Sequence, residues 1–219
     1  SKRKHGEKVS VSCYKNAGYE PEAIVNFLAL VGWNPGTEQE IFSMDQLISE
    51  FDITKVQKKG GIFNVEKLDW INREWILRQT PKDQMSNLKR EVAKTKFSHS
   101  PKTEDEVFME KFLKIILDRI HRWGEAGELI EAGEFDYLFE SPAIDPQMLP
   151  WKNSSPEKTK ENLEKVLMIL ESSEAAETVK EPLTSLAEKE GKGEILWPLR
   201  VALSGKQKSP DPFTLLDML

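Results

Sequence analysis

Residues 103–123, TEDEVFMEKFLKIILDRIHRW, decide the fold class. Phe108, Phe112, Ile116, Ile120 and Trp123 recur every three or four residues, which gathers them on one face of a helix and would scatter them over two faces of a strand. The spacing predicts one long helix with Thr103 as N-cap, Glu106 completing a capping box and Gly124 as the stop. Arg119 and Arg122 then sit on the polar face of its last turns.

The segments on either side read the same way. In TPKDQMSNLKREV, Thr80, Pro81 and Asp83 supply a cap, a first-turn proline and a capping-box acid. FNVEKLDWINREWILRQ offers Asn64 as cap, with Leu68, Ile71, Trp75 and Ile76 on one side. In FSMDQLISEFD, Ser43 and Gln46 form a capping box ahead of a Leu47, Ile48 and Phe51 stripe. YEPEAIVNFLALVGW places Pro21 in a first turn, and its apolar residues from Ile24 to Val31 cover nearly the whole circumference, predicting a central, buried helix. KVSVSCY is the one conflict, because Val9, Val11 and Cys13 alternate as a strand would.

Downstream, FESPAIDPQMLPWKNSSPE concentrates Pro, Ser and Asn as a domain boundary would. Beyond it the pattern predicts a helix over Pro156–Glu171 capped by Ser155, another after a Thr178 and Glu181 box, and a last one from about Glu194 to Leu203. The chain therefore reads as mainly α, in two or three subdomains.

Composition narrows the function classes. The 219 residues, 38% of them hydrophobic, suffice for a packed core. The longest apolar run, IVNFLALVGW, is half the length a membrane-spanning helix needs. Cys13 is the only cysteine, and with His5, His99 and His121 it makes no zinc-site spacing. A reducing compartment, most simply the cytosol, is expected. Net charge of −6 argues against coating nucleic acid by bulk electrostatics. Local fields differ: no acid occurs between Glu194 and Asp211, a window that holds Arg200, Lys206 and Lys208. No acid/base pair, nucleophile triad or metal cluster suggests an independent catalytic activity.

Particular blocks carry more than periodicity does. SKRKHG at the start, then GYEPEAIVNFLALVGWNPG, EIFSMDQLISEFDITKV, FNVEKLDWINREWI, PLRVALSG and SPDPF resemble, in this order, the C-terminal half of bacterial-type glutamyl-tRNA synthetases, a branch of the class I aminoacyl-tRNA synthetases. The resemblance implies a mainly α fold: a stem-contact helical module followed by two small anticodon-binding helical bundles, with the Rossmann catalytic domain absent. It divides the chain into a loop remnant (1–7), the stem-contact domain (8–79) and the two bundles (80–150 and 151–219). It also favours helix over strand at KVSVSCY, with Ser10 near its start.

The family activates glutamate with ATP and Mg²⁺ and transfers it to tRNA(Glu). By resemblance this chain binds the inner corner and anticodon of that tRNA, is inactive alone and binds no ATP or Mg²⁺ itself. Glutamate and ATP would act through the missing catalytic domain; a monomer with no membrane association is expected. Ser1, Lys2 and Arg3 match the last letters of the family's K-L-S-K-R loop, where the lysine, here Lys2, stabilises charge on the ATP phosphates. The opening basic cluster is thus expected to be half of a phosphate-binding loop whose first part has been cut away.

Lys55, Lys58 and Lys59, beside Gly60 and Gly61, are placed to reach the tRNA backbone. Arg119 matches the position where arginine favours cytosine as first anticodon base, and Arg200 a second base-contacting arginine. Ser209, Pro210 and Pro212 match a loop around the remaining bases, with proline at the last position in place of the family's usual apolar residue. Trp33, Trp70 and Trp75 are read as core. Two other readings stay open: a non-discriminating or tRNA(Gln)-directed glutamyl enzyme, and a free-standing helical protein-interaction module.

Overall fold

The computed structural model describes residues 10–58, 60–172 and 176–218. Ser1, Lys2, Arg3 and Lys59, each assigned a role above, lie outside them. The chain is 66% helical, and among the described residues the only extended pairing is an isolated antiparallel bridge between Trp33 and Val56. It forms two compact units that divide between Glu134 and Phe135.

The first unit holds α1 (Val11–Asn16), α2 (Pro21–Gly32), α3 (Met44–Glu50), α4 (Val65–Arg78), α5 (Pro81–Val92), α6 (Glu106–Leu117) and α7 (Gly124–Glu131). Ser10 settles the conflict at its start, because its hydroxyl accepts the Cys13 N–H and caps a helix. The helix ends where Gly18, at φ +82°, donates to the Lys15 carbonyl (3.1 Å) while Tyr19 donates to that of Tyr14 (3.1 Å). That is a Schellman motif, and its left-handed residue favours glycine.

Ala23 and Phe27 of α2 pack with Leu68 and Ile71 of α4, and Trp33, Phe42 and Leu47 make a second cluster. Asn26 is fully buried yet satisfied: it donates to the Glu40 carbonyl (3.0 Å) and accepts from Phe42 N–H (3.0 Å) and Trp75 Nε1 (3.3 Å). The expectation of a wholly buried α2 is not met, since Val25 and Leu28 are exposed. Only one side of the helix meets α4. Likewise Leu47 is buried but Ile48 and Phe51 are not, because α3 has two turns and packs chiefly on α2.

α5 packs on α6 and α7, burying Leu88, Val92, Phe112, Ile116 and Ile130. Here the expected long helix is corrected at both ends. Thr103 closes a 3₁₀ turn, its hydroxyl donating to the Ser100 carbonyl (2.6 Å), and Asp105 is the N-cap that accepts from Phe108 N–H (3.1 Å). The helix ends at Leu117, and Gly124 opens α7 rather than stopping α6. Ile120 and Trp123 are buried all the same.

The second unit holds α8 (Asp136–Phe139), α9 (Pro156–Glu171), α10 (Ala176–Glu190), α11 (Lys192–Ser204) and α12 (Pro212–Met218). Ser155 caps α9, accepting from Lys158 N–H (3.2 Å). α10 begins at Ala176, so Thr178 lies in its first turn and not at its cap. Val166, Val179, Leu183, Ala187, Ile195 and Leu199 form the core, with Leu170 and Phe213 against it. Glu190 at the end of α10 accepts from Lys158 (3.0 Å) and Lys165 (2.8 Å) of α9.

Candidate nucleic-acid interface

Asp118 to Trp123 form a turn whose first amides, of residues 118–120, bond back to α6 and whose next two, of His121 and Arg122, bond to Glu125, while several of its other polar groups find distant partners. Arg73 Nη1 donates to the carbonyls of Leu117 (2.5 Å) and Ile120 (2.8 Å), and Asn72 Nδ2 to that of His121 (2.6 Å). The Trp123 amide donates to the Gly18 carbonyl (3.1 Å) instead of continuing the helix. A side chain at Gly18 would place its Cβ 2.4 Å from the Gly124 nitrogen, and one at Gly124 2.4 Å from the Ala17 carbonyl oxygen. Both glycines therefore permit a backbone-to-backbone approach that fixes the end of the turn.

The two arginines of this turn differ in burial. Arg122 is half-buried and bidentate on Glu128 (2.9 Å for each bond), close to Glu125 (3.6 Å), and donates to the Ala17 carbonyl (3.2 Å). Burial opposes its charge, but Glu128 and Glu125 outweigh that and hold its proton more firmly than usual. Its guanidinium is committed to the fold. Arg119 is exposed, and its Nη2 meets Glu134 Oε2 at 3.4 Å across the surface. Glu134 is itself fixed by a second Schellman motif, in which Gly133 donates to Ile130 and Glu134 to Leu129 (both 3.0 Å).

In the second unit Arg200 lies on α11 with its guanidinium 5.2 Å from the Trp197 ring centre. Its Nε is buried and meets no hydrogen-bond acceptor among the described residues. Trp197 donates to the Met148 carbonyl (2.9 Å), and its ring centre is 5.1 Å from that of Trp151. Trp151 lies over Gly193, where a Cβ would approach its Nε1 to 2.2 Å. This aromatic and cationic cluster was not recognised from sequence; the one signal available was the i, i+3 spacing of Trp197 and Arg200.

Ser209 and Pro210 are half-buried in the loop before α12, the Ser209 hydroxyl donating to the Pro210 carbonyl (3.2 Å). Pro212 is buried as the first residue of α12, packed into the unit rather than presented by the loop. Arg200, Ser209 and Pro210 thus share one unit, while Arg119 belongs to the other.

Of the backbone-contact lysines, Lys55 is exposed but its ammonium donates to the Pro35 carbonyl (2.9 Å), tying the 3₁₀ turn Ile53–Lys55 to the segment after α2. Lys58 is exposed. Trp33 is buried, Trp75 is half-buried and bonded to Asn26, and Trp70 lies at the surface beneath Lys67 Nζ, 4.2 Å from its ring centre.

Comparison with known proteins identifies the family. A family model described as an anticodon binding domain matches residues 82–219, the span that carries Arg119, Arg200 and the Ser209–Pro210 loop. The chain belongs to that family. Residues 1–70 match a second model, the catalytic domain of class I tRNA synthetases (E and Q). Among curated relatives, a glutamate–tRNA ligase of Flavobacterium johnsoniae is 34% identical over 213 residues, covering 95% of this chain and 40% of that protein. One from Clostridium botulinum is 36% identical over 203 residues, covering 88% and 39%. A crystal structure of a glutamate tRNA ligase from Elizabethkingia meningosepticum, in complex with its amino acid, superposes with a TM-score of 0.73 at 29% identity, covering 94% of this chain and 39% of that one. The chain spans about two fifths of the length of the curated relatives it matches. The resemblance to glutamyl-tRNA synthetases and the all-helical expectation both hold.

Proposed function

We propose that this chain is the tRNA-binding part of a glutamyl-tRNA synthetase, a ligase that activates glutamate with ATP and transfers it to tRNA(Glu). The match of residues 82–219 to the anticodon binding domain carries the reading. Residues 8–79 touch the inner corner of the tRNA, with Lys58 and Lys59 at its phosphates. The bundles over 80–150 and 151–219 read the anticodon. An unstacked anticodon base is read by hydrogen bonds to its edge and by stacking, and arginine's planar fork serves both. Arg119, exposed on a turn held at both ends, reads the first base as cytosine; Arg200, beside Trp197, contacts another base. Arginine at the first site supports a form that spares tRNA(Gln).

Glutamate and ATP bind to a catalytic domain that includes the loop matched by Ser1, Lys2 and Arg3. Mg²⁺ acts with ATP in that domain. No helix among the described residues is long and apolar enough to cross a membrane. A monomeric cytoplasmic enzyme is proposed from the family.

Titrating the chain with a tRNA(Glu) transcript and with one altered in the anticodon, at low and moderate salt, tests the reading. Binding should prefer the unaltered anticodon at both salts, and Arg119→Gln should erase the preference at the first base. Equal binding that disappears with salt would overturn the assignment of this chain as an anticodon reader and leave only phosphate attraction.

A further inference from the structure

Three successive attachments on the turn that presents Arg119 come from two adjacent residues of α4. Arg73 bonds the carbonyls of Leu117 and Ile120, one on each side of Arg119, and Asn72 bonds that of His121. Asn72 is fully buried and its Oδ1 also accepts the Glu20 amide (2.8 Å), so it cannot swing away without stranding that donor. Among the described residues Arg73 makes no ion pair. Its charge faces the C-terminal carbonyls of α6, which lack amide partners within the helix and form the negative end of its dipole.

We infer that Arg73 and Asn72 are positioning residues for anticodon specificity, fixing the backbone on both sides of Arg119 so that its fork meets the first base edge-on. This rests on the proposed reading of Arg119. A planar guanidinium discriminates bases only when held within about half an ångström and 10–20° of the productive pose. The amides of residues 118–120 still bond back to the Lys114 (3.3 Å) and Ile116 (2.8 and 3.1 Å) carbonyls of α6, and the α4 side chains hold the opposite, carbonyl side of the turn. α4 belongs to the segment that precedes the anticodon-binding match, so the precision of anticodon reading depends on a helix lying outside that match.

The test uses this chain with two anticodon stem-loop RNAs that differ only in cytosine or uracil as first anticodon base, and the readout is the ratio of their dissociation constants. Arg73→Lys keeps the charge but loses the planar guanidinium that fixes Nη1 between the two carbonyls. A well-made bidentate contact supports a preference of about tenfold, and Arg73→Lys should reduce it to about threefold or less with little change for the uracil hairpin. In an Arg119→Gln background the same substitution should leave the ratio unmoved. A purely structural role would weaken both hairpins alike, and that result overturns the inference. A collapse of the ratio on Arg119→Gln with none on Arg73→Lys overturns it while leaving the reading of Arg119 intact. No change on Arg119→Gln overturns the reading and the inference with it. If Arg73→Lys is not folded by circular dichroism, Arg73→Gln, which retains an amide donor, takes its place.

Discussion

Gly18→Ala tests the backbone contact that closes the Arg119 turn. At φ +82° an alanine would adopt a left-handed conformation, which costs about 1–2 kcal/mol. Its Cβ would also lie 2.4 Å from the Gly124 nitrogen and 3.2 Å from the Trp123 Cβ. The first of these is backbone and cannot rotate aside, so overpacking adds about 1–3 kcal/mol. The sum, about 2–5 kcal/mol, is a large share of a typical domain's stability. Gly36→Ala is the matched control: its φ is +84°, but no atom lies within 4 Å of its Cβ. It should lose only the conformational part. Urea unfolding followed by circular dichroism, with m compared across the variants, measures both. Gly18→Ala should unfold at lower urea than Gly36→Ala by an amount corresponding to about 1–3 kcal/mol. Equal losses in the two variants would refute the close approach of residues 17–18 to 123–124.

Removing the carboxylate that faces Arg119, as in Glu134→Gln, should tighten binding of a cytosine-first hairpin by up to about fivefold, because an exposed pair of this kind is worth about 0.2–1 kcal/mol; unchanged or weaker binding in a titration would count against Arg119 as reader. Arg200→Lys keeps charge but loses the planar fork beside Trp197, and should weaken binding about tenfold and relax selectivity at one of the two remaining bases, read by the same titration with second-base and third-base variants. Hydrogen bonds from Lys165 and Lys158 pull Glu190 down to about 2. Its ordinary value, retained when unfolded, is about 4.3, so the stability it contributes is complete above about pH 5 and is lost as pH falls toward 2. The melting-temperature gap between the parent and Glu190→Gln should therefore narrow over that window in calorimetry, whereas a constant gap would show that the lysines do not hold Glu190.

Where a helix begins was written locally. Ser43, Asn64, Thr80 and Ser155 each accept an amide three residues ahead, as their sequence neighbours indicated. The apolar period was just as reliable about what is buried: Phe108, Phe112, Ile116, Ile120 and Trp123 all reach the core. It was silent about whether one helix carries them, since a turn that keeps Ile120 and Trp123 inward satisfies the same pattern. The break after Leu117 is held partly by nearby Glu125, which accepts the amides of His121 and Arg122, and partly by residues distant in the chain. Arg73 and Asn72 take the carbonyls, and Gly18 accepts the amide of Trp123.

That break also separates two arginines that sequence could not distinguish in kind. By itself the sequence determined that the chain is helical, where most of its helices are capped, which residues of its longest periodic segment reach the core, and which family it resembles. Only the tertiary structure decided that Arg122 is bound by Glu128 and the Ala17 carbonyl while Arg119 faces outward. The physical reason is range. Caps and periodicity involve partners within one or two turns, whereas the role of a surface cation depends on which carboxylates and carbonyls folding brings beside it.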